Sequence, residues 1–484
     1  MGSRKQIFNK MTKRTRNAIF YALCAVFVAA GTLVILYAQG WRVDFETLGF
    51  KKVGGIYLRS FPEDASVFIN GEKIDKKPGF FDNGRFIGNL FPKNYKITLT
   101  SGGYLDWTEH VQVNPSFVSE IKYAILIPKN HESVATGTVK NFWADNGQLI
   151  TGADNGQIFF KGNIIRGNKV TLQSDGSNIV LTENSSPKTY FINYLSDNAP
   201  TSTILNPKFI AYGIQPSNIK EIIKDPASNN QALFRTDDKI FSLDLRNGEI
   251  SKLASSSSTI SEMAASQSWI AWTSIDSKAG KSVLTFYNRS SRSAQDQIDI
   301  AGKLTKLFFR NDNELGILQS DGGLYTISSG GQPQKLASDV RDFEFSPNGN
   351  KVAALENQAL EIFAFNQDKD YWRFRLPEVE KIERIEWYGD ENHIFIIYPD
   401  EINPVRSSRE TLNSASATEK QALVPTTENT GHYASNGIKF LDLNDKNLEN
   451  FSLVATGKQA HYDIKSNTLY FIRENLLKKI VFPK

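Results

Sequence analysis

The chain has 484 residues, 12% of them aromatic and 22% charged, with a single cysteine, Cys24, and a formal net charge of +4. One cysteine excludes an internal disulfide and any Cys-based zinc site, so the fold has to be held by burial, for which roughly 430 residues beyond the first apolar segment suffice in two or more domains. Six of the 56 basic residues (Arg4, Lys5, Lys10, Lys13, Arg14, Arg16) stand in residues 1–16, which contain no acid, leaving 50 basic against 52 acidic residues, net −2, in the rest. The positive charge is therefore local, and no nucleic-acid partner is expected.

The first predicted element is a transmembrane helix over residues 17–40. Its core, residues 18–38, is 21 residues long and carries no charge, which at 1.5 Å per residue spans about 30 Å, the hydrocarbon thickness of a bilayer. Residues 1–16 form a basic tail before it, while Asp44, Glu46, Lys51 and Lys52 after it are mixed in sign. That asymmetry predicts a cytoplasmic N-terminus, an extracytoplasmic body and a lipid-bilayer partner through residues 18–38. Tyr37 and Trp41 fall where an interfacial aromatic belt belongs. A cleaved signal peptide has the same charge order, and Ala38-Gln39-Gly40 would serve as a weak cleavage site, although the apolar run exceeds the 7–15 residues of a signal core. A lipoprotein signal fits less well, because Leu23 precedes Cys24 where a small residue is expected and Cys24 lies early in the run.

Residues 41–53 read as a polar juxtamembrane neck, and residues 54–129 as a small β-domain. Ile56–Ser60 alternates, Phe61-Pro62-Glu63-Asp64-Ala65 interrupts, and Ser66–Ile69 resumes before Asn70-Gly71, the strongest short hairpin signal. Tyr95–Leu99, Val111–Val113 and Glu120–Ile127 complete the strands. The series Gly54-Gly55-Ile56-Tyr57-Leu58, Pro62-Glu63-Asp64-Ala65, Val67, Asn70-Gly71, Tyr95 and Gly103-Tyr104 resembles the PEGA domain, named for a Pro-Glu-Gly-Ala turn. Asp64 replaces the glycine, and Asp tolerates the left-handed region better than most residues; the usual Gly-x-Thr-Pro is missing, with Lys77-Pro78-Gly79 near its place. The resemblance implies a small β-sandwich of a prokaryotic envelope protein that binds or spaces other parts and has no catalytic residues.

Residues 130–484 repeat. Ile219–Ile223, Leu304–Phe308, Val340–Phe345 and Ile382–Trp387 align as first strands, each followed by a polar turn and an apolar strand, and weaker copies start near Val139, Val170, Ile260 and His461. A period of about 40 residues of short strands and Asx/Gly turns is that of a β-propeller. Eight starts predict eight blades; seven result if the Val139 copy and the three-stranded C-terminal copy share one blade across the ring closure. The repeats resemble the broad class of TolB-like and WD-repeat propellers, without a regular Trp-Asp signature. In the copy containing Ile394 the third strand is delayed to Ile438, so residues 401–436, rich in Ser, Thr, Asn, Glu and Ala, read as a disordered insertion, either a tolerated surface loop or a partner-binding arm.

The search for chemistry yields no catalytic, cofactor-binding or metal-binding residue to nominate, and no cofactor. There is no Gly-x-Ser-x-Gly elbow and no phosphate-cradling glycine loop. His110, His131, His393, His432 and His461 are all more than five residues apart, which excludes helix-type zinc motifs. His393, opening an apolar strand, reads as structural. Asp442-Leu443-Asn444-Asp445-Lys446-Asn447 has Lys446 among the would-be calcium ligands and lacks the closing spacing. Asp145-Asn146-Gly147, Asp154-Asn155-Gly156, Asp175-Gly176 and Asp321-Gly322 read as hairpin turns, and the carboxylate pairs Asp237-Asp238 and Glu378/Glu380 fall in turns or on edges. Trp143, Trp269, Trp272, Trp372 and Trp387 read as core, with the alternative that some line a central channel and stack on sugars.

The expected fold class is mainly β: a transmembrane helix, a small PEGA-like β-sandwich, then a seven- or eight-bladed β-propeller. The expected function is non-enzymatic, a membrane-anchored extracytoplasmic binding or scaffold protein recognising an envelope protein or a cell-wall or surface glycan. A membrane-tethered hydrolase or lyase working in the channel is the alternative, favoured by carboxylates facing that channel. A structural surface-layer component is the third reading.

Overall fold

The computed structural model describes residues 13–483 apart from 46–47, 76–78, 80–82, 135–136, 175–177, 197–198, 277–280, 366–369, 400–436 and 446. The insertion at 401–436, His432, Asp175-Gly176, Lys446, most of the basic tail and most of Lys77-Pro78-Gly79 lie outside the described residues. Contacts divide the chain into residues 1–127 with 483–484, and residues 128–482.

In the first unit the helix runs Lys13–Ala38 and buries none of its residues. From Ala18 to Ala38 it carries no charge, and an apolar surface of that length satisfying only its own backbone is stable in hydrocarbon and costly in water. The neck predicted to be polar is instead a β-hairpin, Trp41–Asp44 paired antiparallel with Gly49–Lys52, whose exposed residues include Val43, Phe45, Leu48 and Phe50.

The β-sandwich follows. A three-stranded sheet in the order Arg85–Leu90, Gly54–Phe61, Val118–Ile125 faces a four-stranded sheet in the order Glu72–Ile74, Ser66–Ile69, Asn94–Thr100, Trp107–Gln112. The alternating residues Ile56, Leu58, Val67, Ile69, Ile97 and Leu99 meet in one core with Trp107 and Ala124. At the Asn70-Gly71 turn both residues have positive φ, 51° and 87°, the geometry a two-residue type I′ hairpin requires. The strand Arg85–Leu90 was not anticipated. Its first residue is a buried cation: Arg85 donates to Ser60 Oγ at 3.2 Å and to the Glu63 carbonyl at 2.5 Å, so it holds the Pro62–Ala65 turn from beneath. Asp64 is not in the left-handed region, and the tolerance invoked for it is not called on.

The second unit contains, among the described residues, eight four-stranded antiparallel sheets. Their first strands are Asn141–Asp145, Lys169–Gln173, Glu221–Lys224, Ile260–Ala265, Leu304–Phe309, Val340–Phe345, Arg384–Trp387 and Lys458–Asp463, matching the eight repeat starts. First strands of blades 2 and 3, 4 and 5, 6 and 7, 7 and 8, and 8 and 1 touch, so they form the inner ring and the fold is an eight-bladed propeller. The Val139 copy makes a complete blade of its own, which corrects the shared-blade alternative. Blade 8 is completed by Glu132–Ser133, which pairs with Leu476–Val481; chain from the beginning of the unit thus closes the ring against its end. In blade 7, Ile397 pairs opposite Ile438, so residues adjacent across the sheet are 41 positions apart in the chain.

Four blades share a register shift near the start of the inner strand, at Val170/Leu172, Ile260/Glu262, Leu304/Lys306 and Val340/Asp342. The apolar residue before the shift is buried each time. A bulge adds one residue to the inner strand and flips the side chains after it to the other face, and its repetition aims Glu262, Lys306 and Asp342 at equivalent places.

Candidate functional site

The inner ring is where a propeller brings distant residues together, and here it carries charge. Lys224 Nζ of blade 3 meets Asp145 Oδ2 of blade 1 at 2.8 Å, reaching past blade 2. Arg235 joins blade 3 to blade 4: Nε meets Glu221 Oε2 at 2.7 Å, while Nη1 and Nη2 donate to the carbonyls of Ile260 and Ser261 at 2.7 and 2.5 Å. Lys306 of blade 5 donates to Asp342 Oδ1 and the Phe343 carbonyl of blade 6, both at 2.6 Å. Trp387 Nε1 of blade 7 donates to the Glu344 carbonyl of blade 6 at 3.1 Å. Glu386 of blade 7 accepts from the Tyr462 amide of blade 8 at 2.6 Å and lies 3.2 Å from His461 Nδ1, with Arg384 Nη2 at 2.8 Å.

Two carboxyls in this ring differ from their neighbours. Burial pushes the Glu344 carboxyl up to about 8, helped by the nearby Glu386 charge; at neutral pH it keeps its proton and is a donor. Burial also raises Glu262, with Glu221 adding to it. Asp145, Glu221, Asp342 and Glu386 each have a cation within 2.8 Å. The ring can therefore present both neutral acid and paired ionic groups to a polar ligand.

The residues singled out from the sequence are placed differently. His393 is 1% exposed at the start of its strand, Nδ1 2.7 Å from Asp390 Oδ2, Nε2 3.5 Å from Asp442 Oδ2, its ring stacked at 4.8 Å on Phe440. The two carboxylates overcome the opposing effect of burial and hold the imidazole up to about 10. Asp442 also accepts from the Asn444 amide at 2.8 Å, and Asp445 from the amides of Asn447 and Asn450 at 3.2 and 2.5 Å, so these acids serve their own loop. His131 lies edge-on to Phe471 at 5.5 Å, His110 sits in the four-stranded sheet of the sandwich, and among the described histidines only His461 lies on an inner strand. Trp272 and Trp387 are buried; Trp143, Trp269 and Trp372 pack against blade cores. Among the described residues no cluster of three or more His, Cys, Asp or Glu side chains is arranged to hold a metal. The acids of the inner ring escaped sequence reading; a charged residue stands two places after the apolar residue before the shift in three of the four bulged strands (Glu262, Lys306 and Asp342, with Leu172 in the fourth), and that pattern does not point to Asp145, Glu221, Glu344 or Glu386.

No protein-family profile matches the chain, and no curated protein matches it. Solved propellers resemble it in fold. Oligogalacturonate lyase from Vibrio parahaemolyticus is 9% identical, with a TM-score of 0.42 over 73% of this chain and 97% of that one. The Dos1 propeller is 11% identical with a TM-score of 0.39 over 52% and 74%. PorZ, a surface component of the type-IX secretion system of Porphyromonas gingivalis, is 13% identical with a TM-score of 0.36 over 55% and 36%.

Proposed function

We propose that this chain is a single-pass membrane protein of a prokaryotic envelope, N-terminus in the cytoplasm, whose PEGA-like sandwich spaces an eight-bladed propeller that recognises an envelope protein or a surface glycan. The observation that carries the reading is the helix Lys13–Ala38, apolar and without one buried residue, joined directly to a large β body. Such a helix is covered by lipid, and the charge order on either side of it sets the direction. Recognition rather than catalysis is favoured because four of the inner-ring carboxylates are already neutralised by Lys or Arg, and a nucleophile held against a base is not among their contacts. The test is capture by the protein lacking its first 40 residues, immobilised and exposed to envelope extract and to purified wall polymers, beside a variant also lacking 401–436. Retention of the same protein or polymer on repeat supports recognition; empty columns from both remove it.

One observation favours a second reading. Glu344, protonated near neutrality and within electrostatic reach of Glu386, is the pairing of acid and carboxylate that a hydrolase or lyase acting on glycans uses. Release of reducing ends or unsaturated products from wall polymers, abolished by Glu344→Gln, would replace the binding reading with this one.

A further inference from the structure

The hairpin after the helix has its faces the wrong way round for a protein standing in water. Alternation puts Trp41, Val43, Phe50 and Lys52 on one face and Arg42, Asp44 and Lys51 on the other. On the polar face Asp44 is 6% exposed and meets the exposed Lys51 at 2.7 Å. Arg42 donates to the Tyr37 carbonyl at 2.7 Å and to Asn89 Oδ1 at 3.1 Å, its guanidinium 3.6 Å over the Tyr37 ring. The apolar residues are the open ones, Val43 and Phe50 along the strands and, at the tip, Phe45 and Leu48 at 82% and 86% exposure. A soluble hairpin places these sets oppositely. A further ring stands at the same level. The Gly40 carbonyl accepts from Val53 N–H, and the Val53 carbonyl accepts from Ser116 N–H, at 2.9 and 3.0 Å; the exposed Phe117 is the next residue.

We propose that this hairpin is a membrane foot, with Phe45, Leu48 and Phe50 lying in the headgroup–acyl boundary of the leaflet from which the helix emerges. The inference rests on the anchor reading above and adds a second, shallower contact with the same bilayer. The occupant is argued from continuity: the helix ends at Ala38 and the hairpin begins three residues on, at Trp41, so the whole hairpin lies within 14 residues of the end of the apolar helix. Arg42 over Tyr37 and Lys52 over Trp41, at 5.5 Å, pair cations with aromatics at the level where lipid phosphates stand.

The test uses the full chain in vesicles of phosphatidylcholine and phosphatidylglycerol. An environment-sensitive nitrobenzoxadiazole label is placed on the native Cys24, or, in a Cys24→Ser background, on Leu48→Cys or on Ser290→Cys, an exposed propeller position. The expected result is blue-shifted emission at position 48 relative to 290. Lipids spin-labelled high on the acyl chain should quench position 48 about twofold more than lipids labelled near the chain end, with the reverse preference at Cys24. Water-like, unquenched emission at 48 beside deep quenching at Cys24 overturns the foot and leaves the anchor standing. A blue shift at 48 without lipid quenching means that protein, a second copy or a partner, covers the tip, and overturns it too. Unquenched Cys24 removes the anchor and the foot with it.

Discussion

Asp225, Asp312, Glu391 and Asp463 occupy the polar turns of the repeats, and each bonds to the turn of a neighbouring blade. Asp225 takes both guanidinium nitrogens of Arg289 at 3.0 and 2.7 Å; Asp312 accepts from the Ser268 amide and hydroxyl at 2.7 and 2.5 Å. Glu391 accepts from the Asn348 amide at 2.9 Å, and Asp463 from the Gly147 amide at 2.8 Å across the ring closure. These turn acids form a set of latches between blades. The Asp225 side chain is 1% exposed and that of Arg289 18%, so Arg289→Ala leaves an uncompensated buried charge. It is expected to cost about 3 kcal/mol, read as a lower urea midpoint. His393 supplies part of the pH dependence. Its folded value, about 10, lies above the ordinary 6.5, so its contribution is complete below about pH 6.5 and is lost as pH rises toward 10. Urea midpoints should fall across that window in the native chain, by roughly a few kcal/mol in stability, and the fall should be smaller in His393→Gln. The turns were legible in sequence because Asx and Gly chemistry is local. Their partners were not, because Arg289 and Asp225 are 64 positions apart.

Among the elements, those with a strong pattern appear where periodicity and turn chemistry put them: the helix, the Asn70-Gly71 hairpin and the eight inner strands. The strands missed are those whose pattern is short or broken. Arg85–Leu90 has a burial alternation that starts from a charged residue, and Glu132–Ser133 is two residues long. The shorter one has a large task, since it satisfies the open edge of blade 8: Val134 N–H donates to the Leu477 carbonyl at 2.9 Å. Val134→Pro removes that donor and should weaken closure by about 1–3 kcal/mol. Hydrogen exchange should locate the loss of protection in Leu476–Val481 first, because an unpaired edge opens before the blades behind it. If protection there is unchanged, closure does not depend on this strand.

For the molecule as a whole, the prediction is topological. In intact cells or right-side-out vesicles, added protease should digest the body from residue 41 onward while residues 18–38 stay with the membrane through alkaline carbonate and leave it only in detergent. Release of the whole body by carbonate would show instead that the apolar segment is removed as a signal. The sequence by itself determined an N-terminal helix long and apolar enough to cross a membrane, the mainly β character, the order small β-domain then propeller, and a repeat number of eight with one alternative. These follow from charge, hydropathy and period, which are properties of neighbours along the chain. Tertiary structure alone decided that eight blades close through Glu132–Ser133, that Lys224 meets Asp145 and Arg289 meets Asp225, that the acids of the inner strands gather in one ring, and that the neck is a hairpin with its apolar face outward. Each of these depends on which residues meet across the ring or across a sheet, and no local pattern carries that information.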